Sequence, residues 1–348
     1  MTGWSVGRRG SGEPVAAALL DRDGILFAQK TIGSEVHRGG ENPMKALRQV
    51  ARSMRALGRE LARGSGLGAP QTPALGLALG GGFARGIAHI GVLKVLEEAQ
   101  IPLSFVAGTS VGALIGAVYC GGVTAAELEQ IAFQVRSHHI ARWTLSKLGL
   151  ATNQRMAVFL HRILKQKTFE DLKIPLAIAA TDFTSGEGVA FRSGPLIDAV
   201  RASCAYPGMF LPVEINGRLL VDGMLAYPVP SVPLREMGAR RVLSINLKGG
   251  LNRTGPRHVF DVIGQSFSIA LEHSAKVWRR ASDLVVEPDV TGFEYDDFAR
   301  AGEMIRAGEV AMRQALPQVQ AWFAAERSSR RATVSPGVVG VVSEAEAS

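Results

Sequence analysis

The chain has 348 residues, 47% hydrophobic and 20% charged, which is enough to bury a large core and unlike the composition of a disordered or fibrous protein. Eleven Lys and Arg against six Asp and Glu put +5 of the net charge of +8 into residues 1–75, and the balanced remainder gives no reason to expect nucleic-acid binding. Only two cysteines occur, Cys120 and Cys204, both in apolar surroundings, so a disulfide framework is excluded and buried thiols of a reducing compartment are expected.

The beginning of the chain has a six-residue apolar run before Asp21, too short for the apolar region of a secretory signal, so export is not expected. A capped helix is predicted from Asn42 and Pro43 to Gly64, with Leu47, Val50, Met54, Leu57 and Leu61 on one face and Arg48, Arg52, Arg55, Arg59 and Arg63 on another. It reads either as a surface helix packed on the domain or as a peripheral contact with an anionic membrane surface. Residues 64–74, GSGLGAPQTPA, read as a linker. The expected organisation is an N-terminal extension over 1–73, a catalytic domain over 74–325 and a disordered tail over 326–348.

From residue 74 onward strand-like and helix-like pieces alternate. Apolar runs at 74–79, 103–107, 175–181, 218–223, 242–248 and 283–288 predict strands, and 86–98, 110–120, 124–136, 257–280 and 297–315 predict helices. The alternation predicts an α/β layered fold with a mainly parallel central sheet.

The stretch FVAGTSVGALIGAVYCGG, residues 105–122, allows two readings, because no charged side chain occurs between Ala99 and Ala126. The length suits a membrane span, and Gly108, Gly112 and Gly116 repeat at the spacing that lets such helices approach closely. Against a span, Pro102 and Gly108 divide the stretch and no aromatic belt borders it. The other reading makes Gly108-Thr109-Ser110-Val111-Gly112 a nucleophile elbow, a strand turning so sharply into a helix that only small residues fit two positions either side of the serine. The following helix is then apolar all round because it is buried, and its N-terminal dipole points where an anion forms.

Upstream, strand, Gly80-Gly81-Gly82 and helix follow one another, offering backbone amides that can converge on one oxygen as an oxyanion hole, with Arg85 near. The alternative is a nucleotide loop, Gly80-x-Gly82-x-x-x-Gly86, but Glu97 and Glu98 lie on the helix and not at the end of a second strand. For the base, Asp222 with His258 or His273 would suit a triad, and Asp222, closing the run RLLV, would also serve alone. His89 reads as a packed, hydrogen-bonded side chain, His138-His139 as neighbours that face different ways, and Asp182 as a turn former.

GGGFARGIAHIGVLKVLEE, GTSVGALIGA, AVRASCAYPGMFLPVEINGRLLVDGM and DFARAGEMIRAGE together resemble the bacterial patatin-like phospholipases over roughly residues 74–318. The resemblance implies a three-layer α/β/α patatin-like fold and lipid acyl-ester hydrolysis through an acyl-enzyme on Ser110, with Asp222 as base. It also implies an oxyanion hole at Gly80, Gly81 and Gly82 with Arg85 beside it, and neither metal nor cofactor. Two residues depart from the family pattern: Met224 follows Asp222-Gly223 where Gly or Ala is usual, and Tyr227 stands where Asn is common. Both would narrow the acyl pocket or lower activity. The expected substrate is a phospholipid or lysophospholipid and the expected location the cytoplasm, peripheral to the inner membrane face. The competing reading is an inactive or weakly active scaffold that binds a nucleotide or lipid through the Gly80–Gly86 loop.

Overall fold

The structure is a computed structural model that describes residues 74–135, 142–143, 146, 149–248, 255, 259–294 and 296–333. The expected basic helix at 42–64, the linker up to residue 73, His138, His139, His258 and the last fifteen residues of the expected tail, 334–348, lie outside that range.

The main sheet has eight strands: β1 (Leu75–Leu79), β2 (Phe105–Thr109), β5 (Leu176–Asp182), β6 (Gly188–Phe191), β7 (Val213–Ile215), β8 (Arg218–Asp222), β9 (Arg241–Ile245) and β10 (Leu284–Val286). A small antiparallel pair, β3 (Arg142–Trp143) and β4 (Ala151–Thr152), stands apart. The order is β10-β9-β1-β2-β5-β8-β7, with β6 also on β5. Pairing is parallel from β10 through β5 and antiparallel for β6, β7 and β8, so the sheet is mostly parallel, as predicted.

Nine α-helices are described: α1 (Ala88–Glu98), α2 (Val111–Cys120), α3 (Ala125–Gln134), α4 (Gln154–Ile163), α5 (Leu196–Ser203), α6 (Ser231–Glu236), α7 (Val259–Ser274), α8 (Lys276–Arg280) and α9 (Ala301–Thr333). They lie on both faces of the sheet, and strand alternation decides which face each covers. Leu75, Leu77 and Leu79 of β1 join the cluster of α1, α2 and α9, while Ala78 joins Leu234 of α6 and Trp278 of α8. The side chains on that second face are small, and α6 can therefore lie close to the sheet.

The elements follow the predicted order with local shifts. Strand β2 starts at Phe105, past Pro102, and the helix expected over 257–280 is divided at Ala275 into α7 and α8. Helix α9 carries helical backbone to Thr333, past the boundary set at 325, because residues 318–333 contain no glycine or proline to stop it. Helix α2 has ten residues, and no described helix is long and apolar enough to cross a membrane.

Helices α1 and α9 cross at glycines. A Cβ on Gly91 would run into the Ile305 carbonyl, and one on Gly308 into the Ala88 carbonyl. Backbone cannot move aside as a side-chain tip can. Gly91→Ala and Gly308→Ala should each lower stability by about 1–3 kcal/mol in urea unfolding; Gly292→Ala, which meets nothing within 4 Å, should be close to neutral.

Candidate active site

Ser110 stands between β2 and α2 with φ 55° and ψ −123°, a left-handed conformation that costs a non-glycine residue of order 1–3 kcal/mol. Neighbours hold it there. The Ser110 amide donates to the buried Ser203 hydroxyl at 2.8 Å, and Thr109 Oγ1 donates to the Tyr227 carbonyl at 2.7 Å. The flanking glycines are required for space: a Cβ on Gly108 would strike the Gly112 carbonyl, and one on Gly112 the Leu79 carbonyl.

Strand β5 brings the second residue in. Its Ile178 and Ala179 pair with both β2 and β6, and its Ala180 and Thr181 pair with both β6 and β8, so β2 and β8 meet end to end along one edge of β5. Thr109 is opposite Ala179 and Asp222 opposite Ala180, which makes the residue after Thr109 a neighbour of Asp222. Ser110 Oγ donates to Asp222 Oδ2 at 2.7 Å. The other carboxylate oxygen accepts the Met224 amide at 2.9 Å, and the Asp222 amide donates to the Ala205 carbonyl at 2.9 Å.

Asp222 is fully buried. Desolvation raises its pKa to about 7, although the Met224 amide and the Ser110 hydroxyl both favour the charged form. The same burial, with the Asp222 charge beside them, pushes Tyr206 up to about 12 and the Cys204 thiol well above its usual range, so both stay protonated. The two cysteines are free and buried.

The glycine loop differs from expectation. The Gly80 amide donates to the Ile245 carbonyl at 3.1 Å and the Gly81 amide to the Pro228 carbonyl at 3.2 Å, so neither is available to an oxyanion in this state. The cause is the strand end: Gly80 still follows the β1–β9 ladder, and Gly81 is held by the segment after Asp222. Gly81 does lie against the serine, since a Cβ on it would be 3.6 Å from Ser110 Cβ and 3.9 Å from Met224 Cβ. Among the described residues, no hydrogen bond engages the amides of Gly82 and Val111. Val111, the residue after the serine, is the position that donates in nucleophile elbows.

Arg85 is pressed inward, its Nε buried without a hydrogen-bond partner, and burial lowers its pKa while Glu294 and Tyr206 oppose that effect. His89 is fully buried and pairs through Nε2 with the Gly80 carbonyl at 2.8 Å. Burial drives its pKa to about 4, so it is neutral, donates from Nε2 and fixes the direction of the Gly80 peptide. Asp182 accepts from the Thr184 and Ser185 amides, a turn as expected, and pairs with Arg218. His273 is exposed on α7, and the Ser110 hydroxyl bonds the carboxylate directly.

An apolar cluster borders the Ser110–Asp222 pair. Tyr206 packs edge-on against Phe83 at 4.7 Å and Phe267 at 5.8 Å between ring centres, with Met209, Phe210 and Met224 beside them. Ser203 and Tyr206 lie within the segment RASCAYPG that carries the family resemblance, but no spacing rule distinguishes them from core residues.

The family model described as patatin-like phospholipase matches residues 77–234, a span that includes Gly80–Gly82, Ser110 and Asp222. Over those residues the chain is similar to the patatin-like phospholipases. An uncharacterized NTE family protein of Mycobacterium tuberculosis is 36% identical over 191 residues, covering 53% of this chain and 51% of that protein. Patatin-like phospholipase domain-containing protein 6 of Homo sapiens is 35% identical over 181 residues, covering 50% of this chain and 13% of that protein. The matched region of the chain thus spans about half the length of the first relative and far less of the second. Among solved structures, VipD from Legionella pneumophila aligns with a TM-score of 0.45 and 14% identity, over 72% of this chain and 67% of that one.

A buried carboxyl with a raised pKa makes stability pH-dependent. The folded state keeps the Asp222 proton to about pH 7, whereas the unfolded chain releases it near about pH 3.9. Asp222 therefore costs stability progressively as pH rises between those values. Asp222→Asn, which retains the shape, should be more stable than the parent at pH 8 by a few kcal/mol, with the gain shrinking toward pH 4 in thermal unfolding.

Proposed function

We propose that this protein is a serine acyl hydrolase that cleaves carboxylic esters of phospholipids or lysophospholipids, with Ser110 as nucleophile and Asp222 as its base. The observation that carries the reading is the 2.7 Å hydrogen bond from Ser110 Oγ to a fully buried carboxylate, made at a strained elbow on the N-terminus of α2. The patatin-like domain and relatives named for lysophospholipase activity, such as Lysophospholipase NTE1 of Mycosarcoma maydis, 30% identical over 229 residues, support lipid esters as the substrate class.

As Oγ attacks the ester carbonyl, Asp222 Oδ2 takes the hydroxyl proton, and negative charge gathers on the former carbonyl oxygen. The unengaged amides of Gly82 and Val111 and the dipole of α2 face that charge, a contribution of about 3–4 kcal/mol per well-placed donor. Collapse of the intermediate breaks the bond to the leaving alcohol, which receives the proton from Asp222. Water then attacks the acyl-enzyme, gives its proton to Asp222 and releases the fatty acid, while Ser110 regains its hydrogen. The cluster of Phe83, Tyr206, Met209 and Met224 would take the acyl chain, and the bulk of Met224 against Gly81 shortens the room available.

Ser110→Ala and Asp222→Asn should each reduce hydrolysis of p-nitrophenyl butyrate by at least about 10³-fold, and a fluorophosphonate probe should label the parent but not Ser110→Ala. Substantial turnover by either variant, measured on folded protein, overturns the dyad. Because the base acts as a carboxylate, kcat/KM should climb tenfold per pH unit below about 7 and level off above it.

A further inference from the structure

Helix α7 is unusual for a surface helix. From Val262 to Leu271 it carries no charged side chain, yet no residue from Val262 to Ser274 is buried. Its inner face reaches the dyad's apolar cluster. Phe267 meets Tyr206 edge-on, Gly264 lies where a Cβ would be 3.8 Å from Tyr206 Oη, and Ile263 reaches Gly208, 4.0 Å from a Cβ built there. Its outer face carries Val262 and Ile269, two turns apart, at 48% and 45% exposure.

Other exposed apolar residues gather on the same border. Leu150, at 38% exposure, is tied through its amide to the Met209 carbonyl, and Leu225, at 37%, follows Met224. Four exposed large apolar side chains thus belong to segments that border one apolar cluster beside Ser110 and Asp222. Scattered singly they would need no explanation, but their segments adjoin one apolar cluster, which is what a contact surface requires.

We infer that this rim, centred on α7, is the surface by which the protein docks on a lipid aggregate, so that an acyl chain passes from the aggregate into the Phe83–Tyr206–Met224 cluster. The choice of a lipid surface as occupant rests on the proposed hydrolase activity and on continuity: the segments that carry the rim also contact the apolar cluster assigned to the acyl chain. The stretch from 262 to 271 has no Trp, Tyr or Arg of the kind that anchors protein interfaces, and its polar residues are Gln265, Ser266 and Ser268, which can lie at a headgroup boundary. Glu272, at its end, pairs with Lys248.

The test uses full-length protein and zwitterionic phosphatidylcholine vesicles, to which the basic N-terminal segment adds little. Binding is measured on the Ser110→Ala background, so docking is read without hydrolysis. Val262→Asp with Ile269→Asp should lower vesicle partitioning at least tenfold, and Val262→Ser with Ile269→Ser should lower it less but in the same direction with unchanged melting. Ile269→Trp should show a blue-shifted emission on vesicle addition, quenched by brominated lipid. With Ser110 intact, the Asp pair should hydrolyse soluble p-nitrophenyl butyrate at the parent rate and vesicle lipid at least tenfold more slowly. Partitioning that is absent in the parent or unchanged in the variants overturns the inference, as does a dimer in sedimentation that the Asp pair dissolves, which would assign the rim to a second copy. If the parent binds vesicles but cleaves no ester, the hydrolase reading fails while the docking surface stands.

Discussion

The contact between the Ser110 hydroxyl and the buried Asp222 carboxyl imposes demands that much of the structure meets. A carboxylate in a dry interior is unstable unless something donates to it, and here two donors do, the serine hydroxyl and the Met224 amide. The remaining cost appears as a pKa raised to about 7. That is also the range in which a base both holds and releases a proton readily near neutrality. Burial is the one cause of both the cost and the near-neutral pKa.

Three devices around the Ser110–Asp222 contact fix its geometry. Gly108 leaves room for the Gly112 carbonyl and Gly112 for the Leu79 carbonyl, Ser203 accepts the Ser110 amide, and the Tyr227 carbonyl fixes Thr109. Each ties the elbow to a different part of the chain, and together they hold a conformation the serine would not adopt alone. His89 acts in the same way on the neighbouring glycine loop, where its neutral ring orients the Gly80 peptide.

Much was legible in the sequence because close approach leaves marks in residue type. The pattern Gly-x-Ser-x-Gly is what a strand-to-helix turn with no room for side chains requires, and the triple glycine after β1 marked the neighbouring loop. The charge-free run from Ala99 to Ala126 was open to two readings by composition. Burial of α2 between sheet and helices, at ten residues in length, decides it in favour of the core. The antiparallel side of the sheet was less visible, since β6 and β7 are short and half-exposed and leave a weak period.

The sequence by itself determined the element order and the glycine spacing around Ser110, because these depend on local sterics, and it offered Asp222 as a candidate base with or without a histidine. Only the tertiary structure decided which amides remain open for an oxyanion, since that depends on the Ile245 and Pro228 carbonyls reaching Gly80 and Gly81 from distant segments of the chain. It also decided that β2 and β8 meet end to end along β5, a register that no window of sequence contains and that brings residues 110 and 222 within one hydrogen bond.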